Sequence, residues 1–430
     1  MALAATVIML EGFSALALEW RHGVGYRDLE REKILVADQV DPTTTARQGT
    51  SFWRQRESQV HPYFGYTMVP GSKPWVNNAG FAGEYDYPFV PAAGELVVGV
   101  FGGSVAHGLY FWMKRNEAPL ENRFLRLARK RGFDRVTFLC FANGGYLQPI
   151  STNILLYYMG SVDIALFVEG FNELQISASN RLAEGYPADF PYRAYWETLA
   201  NDSISPRALR LIGSLANHND RMAQAAELAR QPILDRSALV HLVWRAYTTR
   251  LESRSHRLRE GLDEVQRQEL STRYNGALAR PGATEEERVE AFLDKYRSYL
   301  RGANAAARAN DVVPVFVLQP SQYLPDAKPL SAVEKRDHTA NKRFAALVGS
   351  YYPRFVEMFD DVSAEGLLAI DMTRIFRHTT ETTYSDSCCH LEDRGNEILM
   401  KGILDELARR DEFVASLPGG GSAPSLSAGG

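Results

Sequence analysis

Hydrophobic and polar positions change rhythm several times along this chain. Five short runs are continuously apolar: Leu96–Phe101 (LVVGVF), Val136–Phe141 (VTFLCF), Asp163–Val168 (DIALFV), Val312–Leu318 (VVPVFVL) and the shorter Leu367–Ile370. Runs of this length, rich in β-branched and aromatic residues, predict strands covered on both faces, which is the pattern of a parallel sheet. Helical segments are expected between and after them, at Glu117–Arg131, Tyr146–Tyr158 and Leu399–Arg410. The alternation predicts an α/β fold, a three-layer α/β/α sandwich around a mostly parallel five-stranded sheet. Ligands of such sheets sit outside the carboxyl ends of the strands.

The rest of the chain departs from this rhythm. A long insertion, roughly 176–311, separates the third and fourth strands. Ser205-Pro206 reads as an N-cap followed by proline at the first helical position. Leu239, Val243, Tyr247 and Leu251, with Leu242 and Ala246 beside them, suggest an amphipathic stripe. Gln266–Arg280 is polar and reads as a connector, and Thr284 followed by three glutamates opens another helix. The insertion reads as a cap, a partner surface or an inert decoration. Residues 25–93 are loop-rich, with many prolines, glycines and aromatics. Residues 94–410 form the main domain, and 411–430 read as a disordered tail, Gly/Ser/Pro-rich from Pro418 onward. Residues 1–24 form an apolar helix. Glu11 interrupts it and no basic residue precedes Arg21, so Ala2–Trp20 reads either as a buried helix or as a weak membrane anchor.

Composition narrows the function without naming it. The chain has 430 residues and a formal charge of -4, from 48 Lys+Arg and 52 Asp+Glu. That balance argues against a nucleic-acid partner. Cys140, Cys388 and Cys389 cannot build a disulfide framework, and no cluster has zinc spacing, so no metal and no cofactor are expected.

Four polar segments follow the strands or close the last loop. FGGSVAHG (Phe101–Gly108) follows the first strand, and a serine on a glycine-rich strand-to-helix turn can expose its hydroxyl as a nucleophile. FANGGYLQP (Phe141–Pro149) follows the second and offers bare N–H groups at Gly144-Gly145. EGFNEL (Glu169–Leu174) follows the third and offers the Asn172 amide. YSDSCCHLEDRGNEIL (Tyr384–Leu399) precedes the last helix and places Asp386 four residues before His390, where a carboxylate can hold an imidazole. His107, three residues after Ser104, is a rival base expected on the helix leaving the turn. His338 stands in a charged run. A phosphate loop would need a lysine after the glycines, and GGSVAHG has none.

In this order the segments resemble the signature blocks of the SGNH (GDSL-like) hydrolases, in particular larger bacterial members that sit at the cell envelope. GGS corresponds to the serine block through Ser104, NGGY to the glycine block through Gly145, GFNE to the asparagine block through Asn172, and DSCCH to the Asp–His block through Asp386 and His390. The resemblance spans about residues 94–410. Two departures stand out: Gly103 replaces the family's aspartate before the serine, and the acid lies one residue further from His390, with Ser387 at the usual acid position.

The resemblance implies a flavodoxin-like sheet and a serine esterase or O-acyltransferase. Ser104 would be the nucleophile, His390 the base and Asp386 the acid, with an oxyanion hole made by Ser104, Gly145 and Asn172. The substrate it implies is a small-molecule or glycan ester, with an O-acetyl group on a cell-surface carbohydrate foremost. Tyr63, Phe64, Tyr66, Trp75 and Phe81 are either sugar-stacking residues or core aromatics. The competing expectation is an inactive module of the same fold that binds glycans or serves assembly.

Overall fold

The structure is a computed structural model that describes residues 2–22, 58–181, 205–229, 231, 234, 237–273, 283–338 and 341–420. The chain divides into two compact units, one holding residues 1–58 and 197–273, the other 59–196 and 274–430.

The second unit is an α/β/α sandwich. Its sheet contains β3 (Glu95–Gly102), β4 (Arg135–Ala142), β5 (Ile164–Glu169), β6 (Val313–Leu318) and β7 (Ala369–Asp371). All four pairings are parallel, in the order β4-β3-β5-β6-β7. These are the five apolar runs, and nearly every residue in them is buried. Helices α2 (Ser104–Arg115), α3 (Glu117–Ala128) and α11 (Asp393–Ala408) pack together on one face. Helices α4 (Ile150–Tyr158), α8 (Glu285–Arg308) and α10 (Lys342–Ala364) pack together on the other. The chain leaves β3 toward β4 on one side and later returns to β5 on the other. The order therefore reverses at β3, and the crevice of such a sheet opens at the carboxyl ends of β3 and β5.

A two-stranded hairpin, β1 (Ser58–His61) and β2 (Gly65–Met68), and the loops after it close the β4 edge. Tyr87 Oη donates to the Cys140 carbonyl at 2.9 Å and accepts the Cys140 N–H at 3.1 Å, so a side chain occupies the open edge of the outermost strand. Phe64, Tyr66 and Phe81 are buried to within 1%. They are core aromatics, which removes them from the sugar-stacking set. Tyr63 is exposed and Trp75 half-buried.

The insertion is narrower than its sequence suggests. Helix α8, with Thr284 as N-cap and Glu287 completing a capping box, packs on β6 and α10 inside the second unit. Phe292, Tyr296, Leu300, Ala303 and Ala307 recur at three- and four-residue spacing and are buried. The tail also begins later. Helix α12 (Asp411–Ser416) buries Phe413, Leu417 is buried one turn on, and the Gly420 carbonyl accepts the Gly94 N–H at 2.8 Å. Two apolar residues four apart anchor a segment whose composition otherwise reads as tail. Residues 421–430 lie outside the described residues.

The first unit contains α1 (Ala2–His22), α6 (Pro206–Ala229) and α7 (Ala238–Arg273). Ser205 Oγ accepts the Ala208 N–H at 3.1 Å, the expected cap. The seam of α7 is not the predicted stripe: Val243 and Tyr247 are 61% and 42% exposed, while His241, Trp244, Thr248, Leu251 and Ser255 are buried. A run at four-residue intervals drifts round a helix of 3.6 residues per turn, whereas alternating steps of three and four stay on one side. Gln266–Arg273 continues α7 rather than breaking it. Glu11, the charge within the apolar first helix, accepts the Ser237 hydroxyl and the Ala238 N–H, where it caps the start of α7. No helix among the described residues is long and apolar enough to cross a membrane.

Candidate active site

The site begins where β3 ends. Gly102 has φ +131°, and a Cβ there would stand 2.3 Å from the Val168 carbonyl oxygen, so the turn requires glycine. At Gly103 a Cβ would stand 2.2 Å from Asn172 Nδ2. The place of a side chain before the serine is taken by the asparagine amide, a physical reason for glycine at this position. Ser104 follows as the first residue of α2, where its N–H has no acceptor within the helix.

The loop before α11 brings two further groups to Ser104. His390 Nε2 lies 2.8 Å from Ser104 Oγ, and His390 Nδ1 lies 2.5 Å from Asp386 Oδ2. The longer spacing is absorbed by the loop. Asp386 Oδ1 accepts the N–H groups of Cys388, Cys389 and His390 at 2.9, 3.1 and 3.3 Å. The carboxylate thus folds the intervening residues around itself, and Asp386, not Ser387, faces the imidazole. Burial alone would raise the Asp386 pKa. The His390 bond and the backbone donors outweigh it and hold the carboxyl below its usual range.

The remaining predicted residues converge on the same edge. Asn172 Nδ2 donates to the Tyr146 carbonyl at 2.9 Å. Gly145 has φ +77°. Asn143 accepts the neighbouring N–H groups of Gly144 and Tyr146, at 2.8 and 3.1 Å, and among the described residues the Gly145 N–H between them has no acceptor. The hairpin fixes this turn: Tyr66 Oη donates to the Gly144 carbonyl and Tyr146 Oη to the Tyr66 carbonyl, both at 2.5 Å.

Several positioning groups carry no local sequence signal. Glu173 accepts the Gly170 N–H at 2.7 Å and the Gln148 N–H at 3.1 Å, tying the asparagine loop to the glycine loop. Beside it Glu169 accepts Gln148 Nε2 at 3.1 and 3.0 Å. Burial pushes both carboxyls up, Glu169 further because Glu173 is near. Behind the Asp–His loop, Gln322 Nε2 donates to the carbonyls of Asp386 and Cys388 at 3.2 and 3.0 Å, and Tyr323 Oη to that of Ser387 at 2.5 Å. Only the spacing of Gln322 and Tyr323 from the end of β6 hints at this, as a fourth loop at the same sheet edge.

His107, the rival base, sits on α2 with its ring 6.0 Å from Trp75 and 4.9 Å from Phe111. Burial, with a lesser contribution from Lys73, lowers its pKa to about 4, and its Nε2 is buried without a partner. It is a neutral wall residue; the imidazole bonded to Ser104 is that of His390. His338 ends a short helix (Ala332–His338), and its side chain lies outside the described residues. The donor atoms of Cys388, Cys389 and His390 lie within 4.8 Å of one another. Both nitrogens of His390 are already engaged, so it could bind a metal only by leaving Asp386 or Ser104. No family model and no curated protein matches this chain.

Proposed function

We propose that the chain is an SGNH-type serine esterase that works through an acyl-enzyme and acts on O-acyl groups of a carbohydrate. The observation that carries this reading is the hydrogen-bonded series Ser104 Oγ–His390 Nε2, 2.8 Å, and His390 Nδ1–Asp386 Oδ2, 2.5 Å, at the crevice of the sheet. His390 Nε2 takes the Ser104 proton as Oγ attacks the ester carbonyl carbon. Asp386 stays ionised, fixes the tautomer with the proton on Nδ1 and stabilises the imidazolium. The oxyanion meets three donors: the N–H groups of Ser104 and Gly145 and the amide of Asn172. One such donor is worth about 3 kcal/mol of barrier. His390 then gives its proton to the leaving alcohol. Water, or a second sugar hydroxyl in a transferase, attacks the acyl-enzyme with His390 again as base.

The substrate class rests on the motif resemblance. The test is hydrolysis of p-nitrophenyl acetate by wild type, Ser104→Ala and His390→Ala, followed by acetylated oligosaccharides. The expected outcome is a wild-type rate that falls by about 10³ or more in each variant. A wild type with no activity on any ester would leave an inert module of the same fold.

A further inference from the structure

The residues that lengthen the spacing between acid and base are two adjacent cysteines. Cys388 Sγ and Cys389 Sγ lie 3.1 Å apart. Cys388 is half-buried and Cys389 buried. The pair is wired into the reading proposed above at every position: the N–H groups of both cysteines support the Asp386 carboxylate, and the next residue is His390. From the Cys388–Cys389 geometry we infer a reversible oxidation site: a disulfide between these neighbours switches the Ser104–His390–Asp386 array off.

The chemistry balances with a peroxide as oxidant. The Cys388 thiolate attacks one oxygen of hydrogen peroxide and becomes a sulfenic acid, releasing water once the leaving hydroxide is protonated. The Cys389 sulfur then attacks the sulfenic sulfur and expels the second water. Two thiols and one peroxide give one disulfide and two waters. The roles follow from access, since the outer sulfur meets the oxidant and the buried one resolves. The hydrogen bond to Cys388 and burial push the Cys389 thiol well up, which leaves Cys388 as the sulfur that meets the peroxide first. Cys140 is buried in β4 beside the Tyr87 hydroxyl and is remote in sequence from the pair.

Geometry makes the bond both reachable and disruptive. The sulfurs need to approach by about 1 Å to reach a disulfide length of roughly 2.05 Å. Adjacent Cα atoms are held about 3.8 Å apart across a trans peptide, below the roughly 4.4–6.8 Å that disulfides prefer. Closing the ring must therefore twist the Cys388–Cys389 peptide. That peptide carries one of the N–H groups on Asp386 Oδ1 and leads into His390, so the twist opens the carboxylate's ring of donors and turns the imidazole. A strained disulfide is also readily reduced, as a reversible switch requires.

The experiment treats the full chain with hydrogen peroxide near neutral pH, blocks free thiols, and reads three signals. Peptide mass spectrometry should show the Cys388–Cys389 peptide lighter by about 2 Da and refractory to alkylation until reduced, the mass of two lost hydrogens by the disulfide stoichiometry above. Hydrogen exchange of the amides from Cys388 to His390 should quicken on oxidation, and dithiothreitol should restore it. Ester hydrolysis should fall about 100-fold, the scale of a 1 Å misplacement of a reacting group, and recover with reduction. Cys388→Ser keeps the N–H on Asp386 Oδ1 and should lose the mass change and the peroxide-induced quickening of exchange. Two alkylatable thiols after peroxide would overturn the inference. So would a disulfide that leaves both exchange and hydrolysis unchanged. Exchange and mass do not depend on catalysis, so a reduced wild type without esterase activity would sink the proposed function while the switch is still judged on those two signals.

Discussion

Two buried carboxylate clusters brace the loops of the site, and their pKa values are shifted in opposite directions. Glu334 lies behind the Asp–His loop. Its oxygens accept the N–H groups of Thr383, Tyr384 and Ser331 at 2.8, 3.1 and 2.7 Å, and Lys328 Nζ at 2.7 Å. Neither side chain of the Lys328–Glu334 pair is exposed. Burial would raise the Glu334 pKa, but Lys328 and the backbone donors bring it down to about 2. Glu169 and Glu173 lie under the loops that carry Gly145 and Asn172. They too accept backbone or amide N–H groups, but among the described residues no lysine or arginine pairs with them, and burial raises both. Three glutamates tie loops in the same way. The surroundings of each decide whether its pKa falls or rises: Lys328 lowers that of Glu334, and burial raises those of Glu169 and Glu173.

The comparison breaks most severely at the Lys328–Glu334 pair. Lys328→Ala leaves an uncompensated buried anion, and urea unfolding at neutral pH should show a loss of about 3–5 kcal/mol. Adding Glu334→Gln to that variant should restore part of the loss, because the stranded charge goes with it. Glu334→Gln alone strands the buried Lys328 ammonium instead and should cost a comparable amount, about 3–5 kcal/mol at pH 7. The sign of its pH dependence follows from the lowered pKa. The stability contributed by Glu334 is complete above the ordinary value of 4.5 and is lost as pH falls toward about 2. The gap between variant and wild type should therefore close in acid.

Glu169→Gln sharpens the contrast with the smallest effect. A raised carboxyl favours the folded state fully below the ordinary value of 4.5, and that contribution is lost as pH rises toward and beyond neutrality. The amide cannot ionise. Melting temperatures of variant and wild type should be close at pH 5, and the variant should be the more stable by about 1 kcal/mol at pH 8. A gap that widens in acid instead would mean that Glu169 is ionised in the fold.

The frame of the molecule was legible because its signals are local. Continuous apolar runs set the five strands, and Ser104, Gly145, Asn172 and His390 stand at strand ends or in the last loop. Sequence distance hid the braces. Glu334 reaches Thr383 across 49 positions, and Tyr66 reaches Gly144 across 78. No periodicity links such pairs. The stripe on α7 failed for a related reason: an apolar residue every four positions looks amphipathic, yet partner helices select the three-four alternation. Spacing alone does not show how Asp386 reaches His390, because a loop folded round its own carboxylate does not show in a residue count.

The account stands or falls on Ser104, and covalent labelling tests it most directly. A fluorophosphonate should form one adduct, mapped to Ser104 by peptide mass spectrometry, in wild type. Labelling should vanish in Ser104→Ala and slow by orders of magnitude in His390→Ala, since the hydroxyl then lacks its base. An unlabelled wild type, an adduct on another residue, or equal labelling with and without His390 would contradict the account.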